Sequence, residues 1–338
     1  MVSIRDIAKE ANVSVSTVSR VLNDSGYVKS STRQAILNAI KKMDYFPNAI
    51  ARSMVKQQSH IIGLLVPYFR APFYAGLVAS IEKKAGELGY NIMLCHTNED
   101  AKKERDYLTL LAERRVDGMI ILPVSREWNH IYAMKKVVPL VLVSRRSPDG
   151  KISCVRADDI QGSMQIVEHL LETGRRKIYY VSGFPYMMNS IDRMEGVRRA
   201  LSAHKIPTDN LICAEGQMDF SGGYEATKKL LEEHEKPEAI YAINQMMALG
   251  AVKAIQERNL KIPDDVALAS FAGFDELEYE SFIQPRITAN VYPSEEIGET
   301  AVRLMDECIR AWSDDKKDFQ ARDIVFSSRL IVRDSTRR

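Results

Sequence analysis

The chain has 338 residues, enough for two or three domains and a large core. Its 47 basic and 45 acidic residues almost cancel, but residues 1–58 carry nine basic and four acidic side chains, net +5, so the remainder is net −3. The longest apolar runs, such as Ile61 to Val66 and Val137 to Val143, are far too short to cross a bilayer. The first residues form a charged helix rather than a secretory apolar segment, so the expected location is the cytoplasm. The four cysteines, at positions 95, 154, 213 and 308, have no CxxC or metal spacing. Cys95, Cys154 and Cys213 lie in or beside apolar runs and are expected to be buried free thiols, as in a reducing compartment.

The first predicted element is a helix in which Ile4, Ile7, Ala8 and Ala11 recur at i, i+3, i+4 and i+7. Ser3 can cap it, with Asp6 in the reciprocal position of a capping box. Val13 then pins a tight turn, and Ser14 can cap a second helix. There Val15, Val18, Val21 and Leu22 lie three or four apart, and Ser16, Thr17, Ser19 and Arg20 stand between them. A helix of this kind can enter the DNA major groove, where Arg pairs bidentately with guanine and hydroxyls reach bases or phosphates. A small helical bundle with a polar face shares the pattern. The net charge of the head suits phosphate contact, although a solvated surface shares that too. A third helix fits Ser31 to Met43, with Ser31 and Gln34 as a second capping box and Ile36, Ile40 and Met43 as the inner stripe.

Next comes Tyr45-Phe46-Pro47-Asn48-Ala49-Ile50-Ala51-Arg52-Ser53-Met54. At this point the chain resembles the LacI/GalR family of bacterial transcription repressors. The resemblance rests on Ile4-Arg5-Asp6-Ile7-Ala8, Val13-Ser14, Ser16-Thr17-Val18-Ser19-Arg20-Val21-Leu22-Asn23, Thr32-Arg33 and Tyr45-x-Pro47-Asn48-x-x-Ala51-Arg52. It implies a helix-turn-helix head over 1–46, a hinge helix and linker over 47–58, and a two-lobed effector-binding and dimerisation core over 59–338. It also implies DNA contacts from Val15, Ser16, Thr17, Ser19, Arg20, Asn23 and Thr32 in the head, and from Asn48, Ala51 and Met54 in the hinge. The 47–55 segment is expected to fold to a short helix on DNA. Met54 stands where the family has a leucine that wedges into the minor groove; packing against Ile50 within the hinge helix is the other reading.

Beyond Ser59, short β-rich runs alternate with longer helical stretches. Strands are predicted at 61–66, 90–95, 118–122, 140–143 and 153–156, then at 177–182, 211–214, 239–243, 266–271 and 287–291. Helices fit about 73–88, 101–114, 127–135, 159–173, 191–204, 221–233, 245–258 and 294–312. Such alternation implies parallel sheets covered by helices on both faces, and two series of strands imply two lobes. The expected fold class is an all-α helix-turn-helix head followed by an α/β core of two doubly wound parallel-sheet lobes.

The resemblance extends into this core through Val116-Asp117-Gly118-Met119-Ile120, Asn244 to Ala251, Ile262-Pro263-Asp264-Asp265-Val266, Gly273-Phe274-Asp275 and Ser328 to Thr336. It implies lobes like those of periplasmic sugar-binding proteins, closing on a small molecule. It also implies a homodimer, because no leucine-heptad tail follows Thr336. In doubly wound sheets ligands sit at the C-terminal ends of strands. Here Phe69 to Phe73 follow the first strand, Ser144-Arg145 the fourth, Asn244 the eighth and Asp275 the ninth. By the resemblance, Arg193 would grip the ligand, Asp275 would accept from its hydroxyls, Phe220 would stack on it and Asn244 would bond it. Phe73, Arg145 and Asn189 complete the candidate effector site. Core packing would also account for Phe73 and Phe220, and a surface position for Arg145. The family often has Asp after the asparagine, where this chain has Gln245.

No GxGxxG, Walker lysine, HExxH or G-x-S-x-G motif is present, and the six histidines are dispersed, so no catalysis, cofactor or metal is expected. A DNA-binding repressor controlled by a sugar or sugar derivative accounts for head and lobes together. A transport binding protein explains the lobes but not the basic head. An enzyme on an α/β scaffold lacks a catalytic constellation. Within regulators, the alternative is the catabolite-control subgroup, whose corepressor is a phosphorylated carrier protein. In the expected mechanism the two heads of a dimer read a near-palindromic operator. Ligand in the cleft changes the lobe angle and hence the population competent for DNA.

Overall fold

The computed structural model describes residues 2–23, 25–45, 58–68, 72–208, 211–271, 284–313 and 320–337. The chain divides into two compact units, Met1–Ser59 and His60–Arg338.

In the first unit, α1 (Ile4–Glu10), α2 (Val15–Leu22) and α3 (Ser30–Lys42) close around Ile7, Ala8, Val18, Val21, Ile36 and Ala39. The Asp6 carboxylate accepts from the Ser3 N–H at 2.8 Å and from Ser3 Oγ at 2.7 Å, holding the start of α1. Asn12, left-handed at φ 51°, makes the tight turn, and Ser14 Oγ accepts from the Thr17 N–H at 3.2 Å to start α2. Two expectations fail here. α3 begins one residue early, after Lys29, so Ser31 lies inside its first turn and caps nothing; Gln34 donates to Asn38 Oδ1 at 3.1 Å instead. Val15, counted in the apolar stripe, is 41% exposed, because the first residue of α2 precedes the point where the stripe turns inward.

The second unit holds two six-stranded sheets. The first lobe contains β1 (Ile61–Val66), β2 (Asn91–His96), β3 (Gly118–Ile121), β4 (Leu140–Val143), β5 (Ser153–Ala157) and β11 (Asp323–Phe326), in the order β11-β5-β4-β3-β1-β2 and all parallel. Its helices are α4 (Pro72–Glu87), α5 (Ala101–Glu113), α6 (Asn129–Lys135) and α11 (Ser294–Ser313). Ile62, Leu64, Ile120, Val141 and Val143 face one covering layer, and Leu65, Met119, Ile121, Leu140 and Leu142 face the other. Burial of both faces is why these strands are continuous apolar runs rather than alternating ones.

The second lobe contains β6 (Ile178–Ser182), β7 (Ile212–Glu215), β8 (Ala239–Ala242), β9 (Ala267–Phe271), β10 (Thr288–Val291) and β12 (Arg329–Ile331). The order is β12-β10-β9-β8-β6-β7, with β12 antiparallel to β10, so this sheet is not purely parallel. Its helices are α7 (Asp159–Glu172), α8 (Met188–Ala203), α9 (Phe220–Glu233) and α10 (Gln245–Glu257). β11 and β12 are additions to the ten predicted strands. Among the described residues the chain passes between the lobes after β5, after β10 and after β11.

Cys95, Cys154 and Cys308 are buried free thiols, but Cys213 is exposed, contrary to expectation: it lies on β7, the edge strand of its sheet, which pairs with β6 alone.

Candidate functional site

A cavity of about 150 Å³ lies between the lobes. Phe73 and Tyr74 of α4, Glu99 and Ser144 bound it on the first lobe. Asp159, Asn189, Arg193, Met218, Asp219, Asn244 and Gln245 bound it on the second, with Tyr292 at the crossing after β10. Backbone strain marks the same place. Asn12, Asp44, Arg115, Lys205 and Asn259 have left-handed φ just past helix C-termini, an ordinary way to end a helix. Of the five others, Glu99 (φ 58°), Ser144 (φ 66°) and Met218 (φ 62°) line the cavity and Asn98 (φ 55°) precedes Glu99, while His60 (φ 54°) lies at the start of β1. Left-handed non-glycine residues cost free energy and tend to gather at binding sites.

Arg193, 3% exposed, is the centre of a buried polar network. Its Nε donates to Asp159 Oδ1 at 2.7 Å, Nη1 donates to the Ile243 carbonyl at 2.7 Å, and Nη2 donates to the Tyr292 hydroxyl. Tyr292 in turn donates to Asp159 Oδ1 at 2.7 Å. The guanidinium lies over the Phe271 ring, 4.2 Å from its centroid. Burial alone would favour the uncharged form, but Tyr292 and Asp159 outweigh it and hold Arg193 firmly protonated. Tyr292 also contacts the Phe73 ring at 4.8 Å between centroids and packs against the cores of both lobes.

Of the effector residues expected from sequence, Phe73, Asn189, Arg193 and Asn244 line this cavity together. Asn244 starts α10: its Oδ1 accepts from the Met247 N–H at 2.8 Å and its Nδ2 donates to the Met218 carbonyl at 2.9 Å. Arg145 lies in an adjoining recess with Pro67, Glu99 and Met187, and its Nη1 donates to the Pro123 carbonyl at 2.6 Å. Phe220 is not part of the lining. Its predecessor Asp219, the cap of α9, takes that position, and a helix turns by about 100° per residue, leaving Phe220 37% exposed. Asp275 lies outside the described residues, as do Asn48, Ala51, Met54 and the whole 47–55 segment. Glu99, Asp159 and Tyr292 were not singled out from sequence. Glu99 is open to solvent yet walled in by protein. That desolvation raises its carboxyl above the ordinary value, against an opposing pull from Arg145.

In the head, α2 presents Val15, Ser16 and Arg20 to solvent, with Thr17, Ser19, Asn23 and Thr32 half-buried. Ser14 Oγ lies 2.7 Å from Ser16 Oγ and 2.8 Å from Thr17 Oγ1, and Asn23 Nδ2 donates to Ser19 Oγ at 3.1 Å. The hydroxyls are thus held in two groups, Ser14 with Ser16 and Thr17, and Ser19 with Asn23, with Arg20 beside them. Among the described residues no group of three or more His, Cys, Asp or Glu could hold a metal ion, and no helix is long and apolar enough to cross a membrane.

A helix-turn-helix with an open polar face, followed by a two-lobed core around a ligand-sized cleft, defines a ligand-responsive DNA-binding protein. Residues 3–48 match the family described as bacterial regulatory proteins, lacI family, and residues 59–329 match the periplasmic binding proteins and sugar binding domain of LacI family. Catabolite control protein A of Priestia megaterium is 33% identical, over 99% of each chain. The transcriptional repressor PurR of Haemophilus influenzae is 30% identical, over 100% of this chain and 99% of its own. The lac repressor dimer bound to operator and the anti-inducer ONPF superposes with a TM-score of 0.86 at 25% identity, over 99% of each chain. The chain belongs to the LacI family of bacterial transcriptional regulators. It is a DNA-binding regulator with an effector-binding core, and its relatives are regulators of transcription rather than enzymes.

Proposed function

We propose that this chain works as a cytoplasmic homodimeric repressor with no catalytic activity, its operator affinity set by a sugar or sugar derivative in the cleft between the lobes. Residues 1–46 read a near-palindromic operator through Val15, Ser16, Thr17, Ser19, Arg20, Asn23 and Thr32. Residues 47–58 serve as the hinge, with Asn48, Ala51 and Met54 on DNA, and 59–338 form the effector and dimer core. Phe73, Asn189, Arg193 and Asn244 bound the effector, Asp275 accepts from it, and Arg145 flanks it.

The observation that carries this reading is the cavity itself. It lies at strand C-terminal ends between two lobes, with aromatic rings and buried hydrogen-bonding groups facing a space of ligand size. A thermal-shift screen of the full chain against sugars, sugar phosphates and purines tests it, followed by operator titration with and without each hit. A ligand that binds the native state raises the melting temperature. Hits that leave operator affinity unchanged would defeat the reading.

The similarity to catabolite control protein A, at 33% identity, favours a second reading, in which a phosphorylated carrier protein is the corepressor. Operator affinity raised by such a carrier protein, with no response to any small molecule, would select it.

A further inference from the structure

We infer that the cleft selects an uncharged, hydroxyl-rich ring over its phosphorylated or carboxylated congeners, and that Glu99 sets this charge preference. This selection rests on the cavity being the effector site proposed above.

An anionic ligand needs a cation or free N–H groups to meet it. Among the described lining residues Arg193 is the cation; three of its five N–H groups already donate, to Asp159, the Ile243 carbonyl and Tyr292, and three carboxylates, Glu99, Asp159 and Asp219, share the lining with it. Its charge is matched by the Asp159 carboxylate, so the pair presents no net charge to the cavity. The N-termini of α9 and α10 beside the cavity each carry a side-chain cap, whereas that of α8, which brings Asn189 to the lining, has none. Asp219 Oδ1 accepts from the Gly222 N–H at 2.7 Å at the start of α9, and Asn244 Oδ1 accepts from the Met247 N–H at the start of α10. The Asp219 cap brings a negative charge to a place where a phosphate would otherwise find a positive dipole end.

Glu99 adds to this. Asn98 and Glu99 are consecutive left-handed residues, at φ 55° and 58°, and this turn sets the Glu99 carboxylate on the wall of the cavity. The nearby Arg145 lines the adjoining recess rather than the main cavity, with Nη1 spent on the Pro123 carbonyl. A carboxylate on the wall repels a ligand anion, and the repulsion grows as the ligand displaces the water between the two. The same carboxylate offers two oxygens to the hydroxyls of a neutral ring, and Phe73 offers an aromatic face.

The test is calorimetry on the full chain with matched probes: glucose with glucose 6-phosphate and glucuronate, ribose with ribose 5-phosphate, and adenosine with its 5′-monophosphate. In each set that binds, the neutral member is expected to bind at least about tenfold tighter, and Glu99→Gln to narrow that ratio by about tenfold, near 1.4 kcal/mol. A charged member that binds as tightly as its neutral partner overturns the selection while leaving the effector reading intact. A ratio unchanged in Glu99→Gln removes Glu99 as its source. If no probe binds, the effector reading and the selection fall together.

Discussion

Arg20 and Val15 stand out from α2 for opposite reasons. Val15 is an apolar side chain left exposed, and Arg20 is an exposed guanidinium on the same helix. Both suit a surface completed by another molecule, and the family assignment says that this is DNA. Arg20→Ala is expected to weaken specific operator binding by about 1–3 kcal/mol and to relax base preference at one position per half-site. Binding assays on operator and random DNA check this: an equal loss on both would make Arg20 a phosphate contact. In the core, two carboxylates should respond to pH in opposite senses. Glu104 is fully buried; burial pushes its carboxyl up, but the His130 ring at 2.7 Å and the Val124 N–H at 2.6 Å overcome that and hold it below its ordinary value. Its contribution to stability is therefore present above about pH 4.5 and lost as pH falls. Glu99 is raised instead, so it detracts from stability above that pH and the deficit eases on acidification. Glu104→Gln should lower stability at pH 7 by roughly 1–3 kcal/mol and flatten the acid limb of the melting curve. Glu99→Gln should raise the melting temperature at pH 7 and steepen that limb. Melts from pH 7 to pH 4 separate the two. At this scale the sequence was partly legible. Arg193, Asn244, Asn189 and Phe73 were reachable because a motif or a strand end marks them. Tyr292 and Asp159 carry no local signal: they join Arg193 only once chain segments far apart in sequence fold together.

The elements that present the site depend on close backbone approach. α9 and α10 cross where an added Cβ at Gly250 would lie 2.2 Å from the Phe220 carbonyl oxygen, and one at Gly223 would lie 2.3 Å from that of Met247. Backbone cannot yield as a flexible side chain can, so even a methyl group must force the helices apart. Their N-termini carry Asp219 and Asn244 to the cavity, so the crossing also sets the spacing of those two side chains. Gly250→Ala is expected to destabilise the core by about 1–3 kcal/mol in urea unfolding and to weaken effector binding with it. A variant of unchanged stability would show that the helices adjust freely. Most elements were legible for the reason that they are stable. The central strands are buried on both faces and read as apolar runs, and most are followed by a helix with its own periodicity. β11 and β12 gave no such signal. They are short, partly exposed edge strands, and β11 reaches its partner β5 only after some 170 residues of intervening chain. The start of α3 was misplaced because Ser30, Ser31 and Thr32 are adjacent hydroxyl residues, any of which composition alone would accept as a cap.

Across the whole core, closure of the lobes is held at the lip of the cleft as well as at its floor. Arg126 follows β3 in the first lobe and Tyr186 follows β6 in the second, and the guanidinium carbon lies 3.5 Å from the centroid of the Tyr186 ring. Tyr186 is stacked on Phe184, at 5.4 Å between centroids, and Phe184 lines the cavity. At the floor, Tyr292 ties Arg193 and Asp159 of the second lobe to Phe73 of the first. Both Arg126 and Tyr186 are solvent-exposed, so the lip contact is a modest one, worth about 0.5–2 kcal/mol for a cation over an aromatic face. That is enough to shift an equilibrium between open and closed lobes several-fold without endangering either fold. A ligand that binds only the closed cleft loses apparent affinity in proportion to the closed fraction. Arg126→Ala and Tyr186→Ala should therefore weaken effector binding by similar factors and widen the core in small-angle scattering. The double variant should be little worse than either single one, since each substitution already breaks the contact. A double-mutant cycle on effector affinity decides this. Single losses that simply add would mean that Arg126 and Tyr186 act independently, and that closure rests on the Tyr292 network alone.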